Sequence, residues 1–222
     1  MSELGKRIII EGTDGTGKSE QVMRIRSRLV KAGIKVCSFV VEEPDGARDL
    51  TTGESLVPIA TELRKIIKNG SLERTPWTNL SMFNDARREN WSQAIKPALE
   101  RGEWVPAARS HLSTIVYQGY GEGIPVDEIE AAVRAEVGEE YMTPDLAVIL
   151  DLQDEKARFE RINGRGNLTN PDTFESKDES FQSRIRHGYL DYAAIRGIPV
   201  VDASGSRDEV EERIWEHVQE II

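Results

Sequence analysis

The sequence predicts an α/β protein in which a five-stranded parallel sheet lies between helices in three layers. Short apolar strand patterns alternate with helical patterns, and a glycine-rich loop joins the first strand to the first helix. Strands separated by helical crossovers pair in parallel, and ligands bind beyond the carboxyl ends of such strands. The 222 residues are enough for one sizeable core, so we expect a single domain over residues 1–222.

Five segments have strand character because they are short and mainly apolar, and the first is also β-branched. They cover residues 7–10, 35–41, 103–108, 146–150 and 198–201. Apolar residues at helical spacing predict a first helix that stops at Gly33, and further helices over 59–69, 76–101, 127–137 and 173–196. Ser206 and Glu209 form a capping-box pattern that predicts the start of a last helix.

Composition and charge exclude several classes of protein. No apolar run approaches the roughly 18 residues that span a bilayer, so we expect a soluble protein with no membrane partner. The N-terminal residues contain no secretory apolar region, and the single Cys37 cannot form an internal disulfide, so we expect a cytoplasmic location. The net charge of −10 argues against a nucleic-acid partner. A small phosphorylated ligand needs only a few converging cations and is not excluded.

The loop after the first strand matches the phosphate-binding pattern G-x-x-x-x-G-K-[ST]. Its residues, all predicted to bind ATP, are Gly12, Thr13, Asp14, Gly15, Thr16, Gly17, Lys18 and Ser19. The glycines let the backbone curl so that several N–H groups face one phosphate, and the following helix N-terminus adds a favourable partial charge. Lys18 is predicted to bridge the β- and γ-phosphates of ATP, and the Ser19 hydroxyl to ligate Mg²⁺.

Several segments, in the same order along the chain, resemble thymidylate kinases. The phosphate loop with its flanks, residues 11–21, resembles that of the family, and Glu43-Pro44-Asp45 is similar to its Glu-Pro-Gly turn. Further similar segments are Met82-Phe83 with Arg87, Arg109-Ser110, and Tyr117-Gln118-Gly119. The resemblance implies an ATP-dependent, Mg²⁺-requiring kinase of a pyrimidine deoxynucleoside monophosphate, with thymidylate (dTMP) as the leading acceptor, and a homodimer.

The resemblance also implies an acceptor site. Its expected residues are Asp14, Glu43, Arg48, Phe83, Arg87, Arg109, Ser113 and Gln118. Phe83 is expected to stack on the base and Arg87 to reach a base carbonyl, while Arg109 holds the acceptor phosphate. Arg48 is a second candidate phosphate ligand, and Asp14 is expected to receive the sugar 3′-hydroxyl. Ser113 and Gln118 suit the pyrimidine edge, and Glu43 is expected near the metal or the sugar.

An arginine-containing segment at about 154–172 resembles the mobile lid of these kinases. Some family members carry an arginine in the phosphate loop, where this chain has Gly15-Thr16, so the lid is expected to supply the cation. Charge spreads over the migrating phosphoryl group during transfer and needs cations around it. The expected catalytic residues are Lys18, Arg109 and the lid arginines Arg161 and Arg165. Arg158 is the next candidate for a lid arginine.

Three positions depart from the family pattern. Ala108 stands where the family usually has an aspartate near the Mg²⁺ and phosphates, and Glu42 stands where an arginine commonly precedes the Glu-Pro turn. Glu122 lies in the loop after the Tyr-Gln-Gly segment, and both glutamates add negative charge near the expected anion site. Either a carboxylate such as Glu43 or Asp151 replaces the aspartate, or activity is reduced, or the acceptor differs. The alternatives to a thymidylate kinase are a kinase of deoxyuridylate or a 5-modified deoxynucleotide, a nucleotide-binding protein with little turnover, and a P-loop ATPase or GTPase.

Overall fold

The computed structural model describes residues 3–163 and 179–222 of the chain. Its sheet consists of β1 (Arg7–Gly12), β2 (Phe39–Glu42), β3 (Arg48–Asp49), β4 (Val105–Ala108), β5 (Leu146–Asp151) and β6 (Val200–Asp202). The strand order is β3-β2-β4-β1-β5-β6. β1, β2, β4, β5 and β6 are parallel, and β3 pairs antiparallel with β2 at one edge. The carboxyl ends of the parallel strands therefore meet at one edge, beside the phosphate loop.

Helices cover both faces of the sheet. They are α1 (Lys18–Lys31), α2 (Pro58–Lys68), α3 (Pro76–Asn90), α4 (Lys96–Glu100), α5 (His111–Thr114), α6 (Val126–Val137), α7 (Glu139–Met142), α8 (Glu155–Asn163), α9 (Glu179–Arg196) and α10 (Arg207–Gln219). π-Helical segments Trp91–Ile95 and Ile115–Gly121 follow α3 and α5. No helix within 3–163 or 179–222 has both the length and the apolar character needed to cross a membrane.

The three isoleucines of β1 explain why the sheet has a core on each face. Ile9 packs in a cluster with residues of β2, α3 and α6, while Ile8 and Ile10 pack in another with residues of α1 and α10. Successive side chains of a strand point to opposite faces, so a strand buried on both faces is continuously apolar. The three-layer α/β fold class predicted from the sequence is confirmed.

The five predicted strands are present, with differences in extent. The second strand, predicted over 35–41, begins only at Phe39, because Val36 makes a single bridge to Trp104 and the ladder is interrupted after it. β3 was not predicted, since two residues carry no periodic pattern. The helix predicted over 76–101 contains a π-helical turn, and the helical segment over 111–121 was not predicted. Its β-branched Ile115 and Val116 are fully buried, so tertiary packing outweighs their weak helix propensity.

Candidate active site

The phosphate loop turns sharply between β1 and α1. Gly12 has a φ of 135°, and a Cβ there would lie 2.3 Å from the carbonyl oxygen of Leu150. Gly17, with a φ of 94°, precedes the first residue of α1 in a left-handed conformation. The Thr16 hydroxyl donates to the Thr13 carbonyl at 2.9 Å and closes the loop. Only glycine fits the first of these positions, so the spacing of the motif reflects this backbone path.

Lys18 is held in a buried position at the start of α1. Its Nζ donates to the Thr13 carbonyl at 2.9 Å and lies 3.6 Å from a carboxylate oxygen of Asp14. Burial, together with the positive charge of Arg109, lowers the pKa of Lys18 to about 8, although the Asp14 carboxylate acts in the opposite direction. The loop therefore holds an ammonium group that gains stability when an anion approaches it.

Ser19 and Glu42 form a hydrogen bond across the site. The Ser19 hydroxyl donates to Oε2 of Glu42 at 2.6 Å, and Ser19 is exposed. Glu42 ends β2 and is paired in register with Ala108 of β4. Burial acts to raise the pKa of Glu42, but Arg109, the Ser19 hydroxyl and Lys18 outweigh it and hold the pKa below its ordinary value. An ionised carboxylate thus lies beside the loop hydroxyl.

A pocket opens beside Asp14, at the carboxyl ends of β2 and β4. It is lined by seven of the eight residues expected at an acceptor site: Asp14, Glu43, Phe83, Arg87, Arg109, Ser113 and Gln118. Seven further lining residues were not predicted to belong to this pocket, namely Glu42, Pro44, Arg64, Lys68, Ser110, Thr114 and Tyr117. Arg48 is outside the lining set; it lies on β3, half-exposed, with Nη2 3.4 Å from Asp45.

Arg109 joins the pocket to the phosphate loop. Its guanidinium pairs with Asp14, donates to the Ser113 hydroxyl at 3.2 Å, and lies 5.6 Å from the centre of the Tyr117 ring. Burial is the largest single influence and acts to lower the pKa of Arg109, but Asp14, Tyr117, Tyr189 and Glu42 together outweigh it and raise the pKa well above its ordinary value. The backbone of Arg109 has a φ of 64°, a conformation that is uncommon outside glycine and often found at functional sites.

Arg87 and Glu43 form a buried ion pair that lines the pocket. Arg87 is 1% exposed, and its Nε donates to Oε2 of Glu43 at 3.1 Å. Oε1 of Glu43 accepts from the Tyr141 hydroxyl at 2.6 Å, and Nη2 of Arg87 donates to the Thr114 hydroxyl at 2.8 Å. Both carboxylate oxygens of Glu43 are therefore engaged, and the pair fixes one side of the pocket.

Gln118 and Phe83 supply the remaining pocket surface. Gln118 is fully buried, and its Nε2 donates to Glu122 at 3.3 Å. Its Oε1 has no hydrogen-bond partner among residues 3–163 and 179–222. Phe83 packs against a cluster that contains Ile67, Tyr117 and Phe181. The pocket thus combines an aromatic face with a buried amide oxygen able to accept a hydrogen bond.

The expected lid arginines lie in different surroundings. Arg158 of α8 is buried, and its Nη1 lies 3.3 Å from the carbonyl oxygen of Asp14 in the phosphate loop. Arg161 is exposed and donates to the carbonyl of Ala203 at 3.1 Å. Arg165 and the rest of the expected lid from residue 164 onward lie outside the described residues. Of these three arginines, the described contacts bring Arg158 to the loop.

Sequence reasoning missed several residues of the site. Arg64 and Lys68 are four positions apart on α2, so their shared helix face was a usable signal. The carboxylate of Glu11 on β1 accepts from the hydroxyls of Ser113 at 2.7 Å and Tyr189 at 3.0 Å, so it positions α5 and α9. No sequence signal joins Tyr189 to Glu11, because the contact spans most of the chain.

A phosphate loop whose lysine approaches a second, basic and aromatic pocket defines a phosphotransferase with two nucleotide sites. Comparison with known proteins gives the same class. The family model described as thymidylate kinase matches residues 10–214. The thymidylate kinase of Deinococcus radiodurans is 33% identical over 218 residues, which are 97% of this chain and 97% of that protein. The enzyme of the same name from Burkholderia cenocepacia strain HI2424 is 35% identical over 216 residues, 95% of each chain.

The fold has a counterpart among solved structures. The crystal structure of thymidylate kinase from Ehrlichia chaffeensis has a TM-score of 0.70 to this chain at 22% identity, and the match covers 96% of this chain and 98% of that one. At this identity the likeness concerns the fold alone. The family model and the sequence relatives carry the assignment: the chain belongs to the thymidylate kinase family, whose members are ATP-dependent nucleoside monophosphate kinases.

Proposed function

We propose that this protein transfers the γ-phosphoryl group of ATP to the phosphate of dTMP, giving ADP and dTDP. The observation that carries the proposal is the meeting of the two sites at Asp14. Its carboxylate lies 3.6 Å from Nζ of Lys18 in the phosphate loop and pairs with Arg109 in the pocket. Two phosphate-binding cations on either side of one carboxylate suit transfer between two bound nucleotides rather than hydrolysis of one.

The donor end is built for a triphosphate and Mg²⁺. The curled loop and the N-terminus of α1 attract phosphate oxygens, and Lys18 supplies a charge at the β- and γ-phosphates. Ser19 is exposed at the start of α1, with a carboxylate oxygen 2.6 Å away, and such hard oxygen donors fit Mg²⁺. When bound, the ion neutralises charge on the phosphates. Ser19 is the residue expected to hold it.

The acceptor end matches a pyrimidine deoxynucleotide. Arg109 supplies the cation for the acceptor phosphate, and Phe83 an aromatic face for the base. The unpartnered Oε1 of Gln118 is a buried acceptor available to an N–H of the base edge. Arg64 and Lys68 of α2 add positive charge to the same pocket wall. Asp14 lines the pocket, and in this proposal its carboxylate accepts a sugar hydroxyl once Arg109 binds phosphate.

Transfer in this site needs no general base. The acceptor phosphate is ionised at neutral pH, so one of its oxygens attacks the γ-phosphorus while the bond to the β,γ-bridging oxygen breaks and ADP leaves. Catalysis then consists of positioning the two phosphates and surrounding the migrating group with cations. Lys18 and Arg109 approach from the two sides, and Arg158 over the loop is the third cation that the described contacts support. Arg161 and Arg165 stay predictions.

The test is a Mg²⁺-dependent ADP-release assay with ATP and a panel of nucleoside and deoxynucleoside monophosphates. We expect ADP only with an acceptor, dTMP being preferred, and none from Lys18→Ala. A preference for deoxyuridylate or a 5-modified nucleotide would change the acceptor but leave the reaction class unchanged. The 5-methyl group of the base contributes only about 1–3 kcal/mol of discrimination between such acceptors. ADP formed without an acceptor would contradict the proposal. We also propose that the protein is a homodimer, to be measured by sedimentation velocity.

A further inference from the structure

We propose that Glu42, on β2, is the carboxylate that holds Mg²⁺ beside Ser19, in the role that residue 108 on β4 cannot fill. The inference rests on the proposed function, because it assigns a residue to the metal of the MgATP site. In P-loop phosphotransferases the metal lies between the loop hydroxyl and a strand carboxylate. Ala108 offers no ligand.

The hydrogen bond between Ser19 and Glu42 sets the two ligand atoms at a suitable spacing. Their oxygens are 2.6 Å apart. Two neighbouring ligands of an octahedral Mg²⁺, each about 2.1 Å from the ion, lie about 3.0 Å from one another. A displacement of a few tenths of an ångström therefore converts the hydrogen-bonded pair into two ligands of one ion. Ser19 is exposed, so an ion and its waters can reach it.

The sheet register explains why a glutamate on β2 reaches this position. Glu42 is the register partner of Ala108, and side chains paired across neighbouring strands lie on the same face of a sheet. Ala108 packs in the cluster on the α1 face, so Glu42 also projects toward α1, where Ser19 lies. The strands are about 4.8 Å apart, and the glutamate side chain, one methylene longer than aspartate, spans part of that distance.

The other carboxylates near the site have different partners. Both oxygens of Glu43 are bonded, one to Arg87 and one to Tyr141. Asp151 holds Arg186 through both of its oxygens, at 2.7 and 2.8 Å. These were the two replacements that the sequence suggested for the missing aspartate. Asp14 pairs with Arg109 on the pocket side of the loop. Among the described residues, Glu42 is the one whose carboxylate is hydrogen-bonded to Ser19.

The test measures the binding of a non-hydrolysable ATP analogue, adenosine 5′-(β,γ-imido)triphosphate, by calorimetry with Mg²⁺ or with EDTA. The ratio of the two Kd values reports the contribution of the metal. In Glu42→Gln we expect this contribution to fall by about 10- to 100-fold, the range typical for loss of a group that supports a metal ligand. Metal-free binding should tighten, because a negative charge beside the triphosphate is removed. A role confined to folding would weaken binding under both conditions.

The matched control is Glu20→Gln. Glu20 follows Ser19 directly but is exposed and pairs with Arg24 at 2.9 Å, so both Kd values should equal those of the wild type. An unchanged metal contribution in Glu42→Gln, or equal weakening with Mg²⁺ and EDTA, overturns the inference. Glu42→Asp, which keeps the charge, should recover part of the metal contribution. The ADP-release assay distinguishes failure of this inference from failure of the proposed function. If the wild-type protein binds the analogue more tightly with Mg²⁺ than with EDTA but transfers no phosphate, only the proposed function is contradicted.

Discussion

At the scale of single residues, the site consists of opposite charges held close together before any substrate binds. Arg109 pairs with Asp14, Arg87 with Glu43, and Lys18 lies near Asp14. Each carboxylate thereby stabilises the charged form of its neighbouring cation, which burial alone would disfavour. We expect an incoming phosphate to compete with Asp14 for Arg109, so that substrate binding would exchange one anion for another at the same guanidinium.

Arg158 gives the first prediction. Arg158→Lys should lower kcat by about 10²- to 10³-fold, the effect typical of losing one preorganised donor to a developing charge. The reason is its buried position with Nη1 3.3 Å from the Asp14 carbonyl, where a lysine cannot reproduce the planar guanidinium. Steady-state kinetics measure it. The control is Arg184→Lys, an exposed arginine bonded to Ser180, which should keep its kcat. A kcat for Arg158→Lys within twofold of wild type would contradict the assignment.

His111 gives a prediction about pH. It is buried against Tyr141, and its Nδ1 has no partner among the described residues. Burial, and then the positive charges of Arg87, Arg7, Arg196 and Arg134, hold the pKa of His111 well below its ordinary value. The folded protein keeps this imidazole neutral while the unfolded chain protonates it below about pH 6.5, so stability is lost as the pH falls.

The loss due to His111 should approach about 1.4 kcal/mol per pH unit below pH 6.5. Urea denaturation between pH 5 and 7.5 measures it. In His111→Phe, which keeps an aromatic ring beside Tyr141, the free energy of unfolding should depend less steeply on pH over this range. His187→Gln removes an exposed histidine and should follow the wild type. Parallel curves for wild type and His111→Phe would show that His111 is not the group responsible.

At the scale of elements, the phosphate loop and α8 are packed directly on one another. A Cβ on Gly15 would lie 2.8 Å from the carbonyl oxygen of Arg158 and 2.9 Å from its Cγ. Gly15 also has a φ of 89°, which disfavours any other residue. The position where some family members carry an arginine is therefore closed by α8 in this chain. The loop has no room for an arginine of its own, so we expect the cation to come from α8 above it.

Gly15→Ala should therefore do more than strain the backbone. We expect it to push α8 from the loop and to lower kcat by at least 10-fold, because Arg158 moves with the helix. Gly33→Ala is the matched control: its φ is 80°, but nothing lies within 4 Å of the added Cβ. It should lose only the roughly 1 kcal/mol of a left-handed alanine and keep its kcat. Equal kcat values for the two variants would rule out the packing argument.

The elements also show what the sequence could and could not predict. The buried strands and the phosphate loop follow from local patterns, and the structure contains them. The segment over 111–121 could not be predicted, because its helical form depends on burying Ile115 and Val116 against other elements. The same limit applies to the site. The family resemblance predicted Phe83 and Arg109 as pocket residues, and both line the pocket. Glu42 was interpreted only as an added negative charge, because its bond to Ser19 depends on the register of β2 with β4.

At the scale of the whole molecule, the central strand β1 joins two cores. Ile9 belongs to the cluster that contains Trp91, and Ile10 to the cluster that contains Trp215. Because one strand contributes to both clusters, neither face can lose its packing without exposing residues of β1. The phosphate loop lies at the end of this strand. Loss of either core therefore also disorganises the loop that starts at Gly12.

This arrangement predicts a single cooperative unfolding transition, as expected for the one domain that the sequence suggests. Trp91 reports on one core and Trp215 on the other, so two single-tryptophan variants can be made by replacing the other three of the four tryptophans with Phe. In each variant, the urea midpoint from tryptophan fluorescence should coincide with the midpoint from far-UV circular dichroism. Comparing two probes within one variant removes any effect of the substitutions on stability itself. Separate midpoints in either variant would mean that the two faces unfold independently, and that β1 does not couple them.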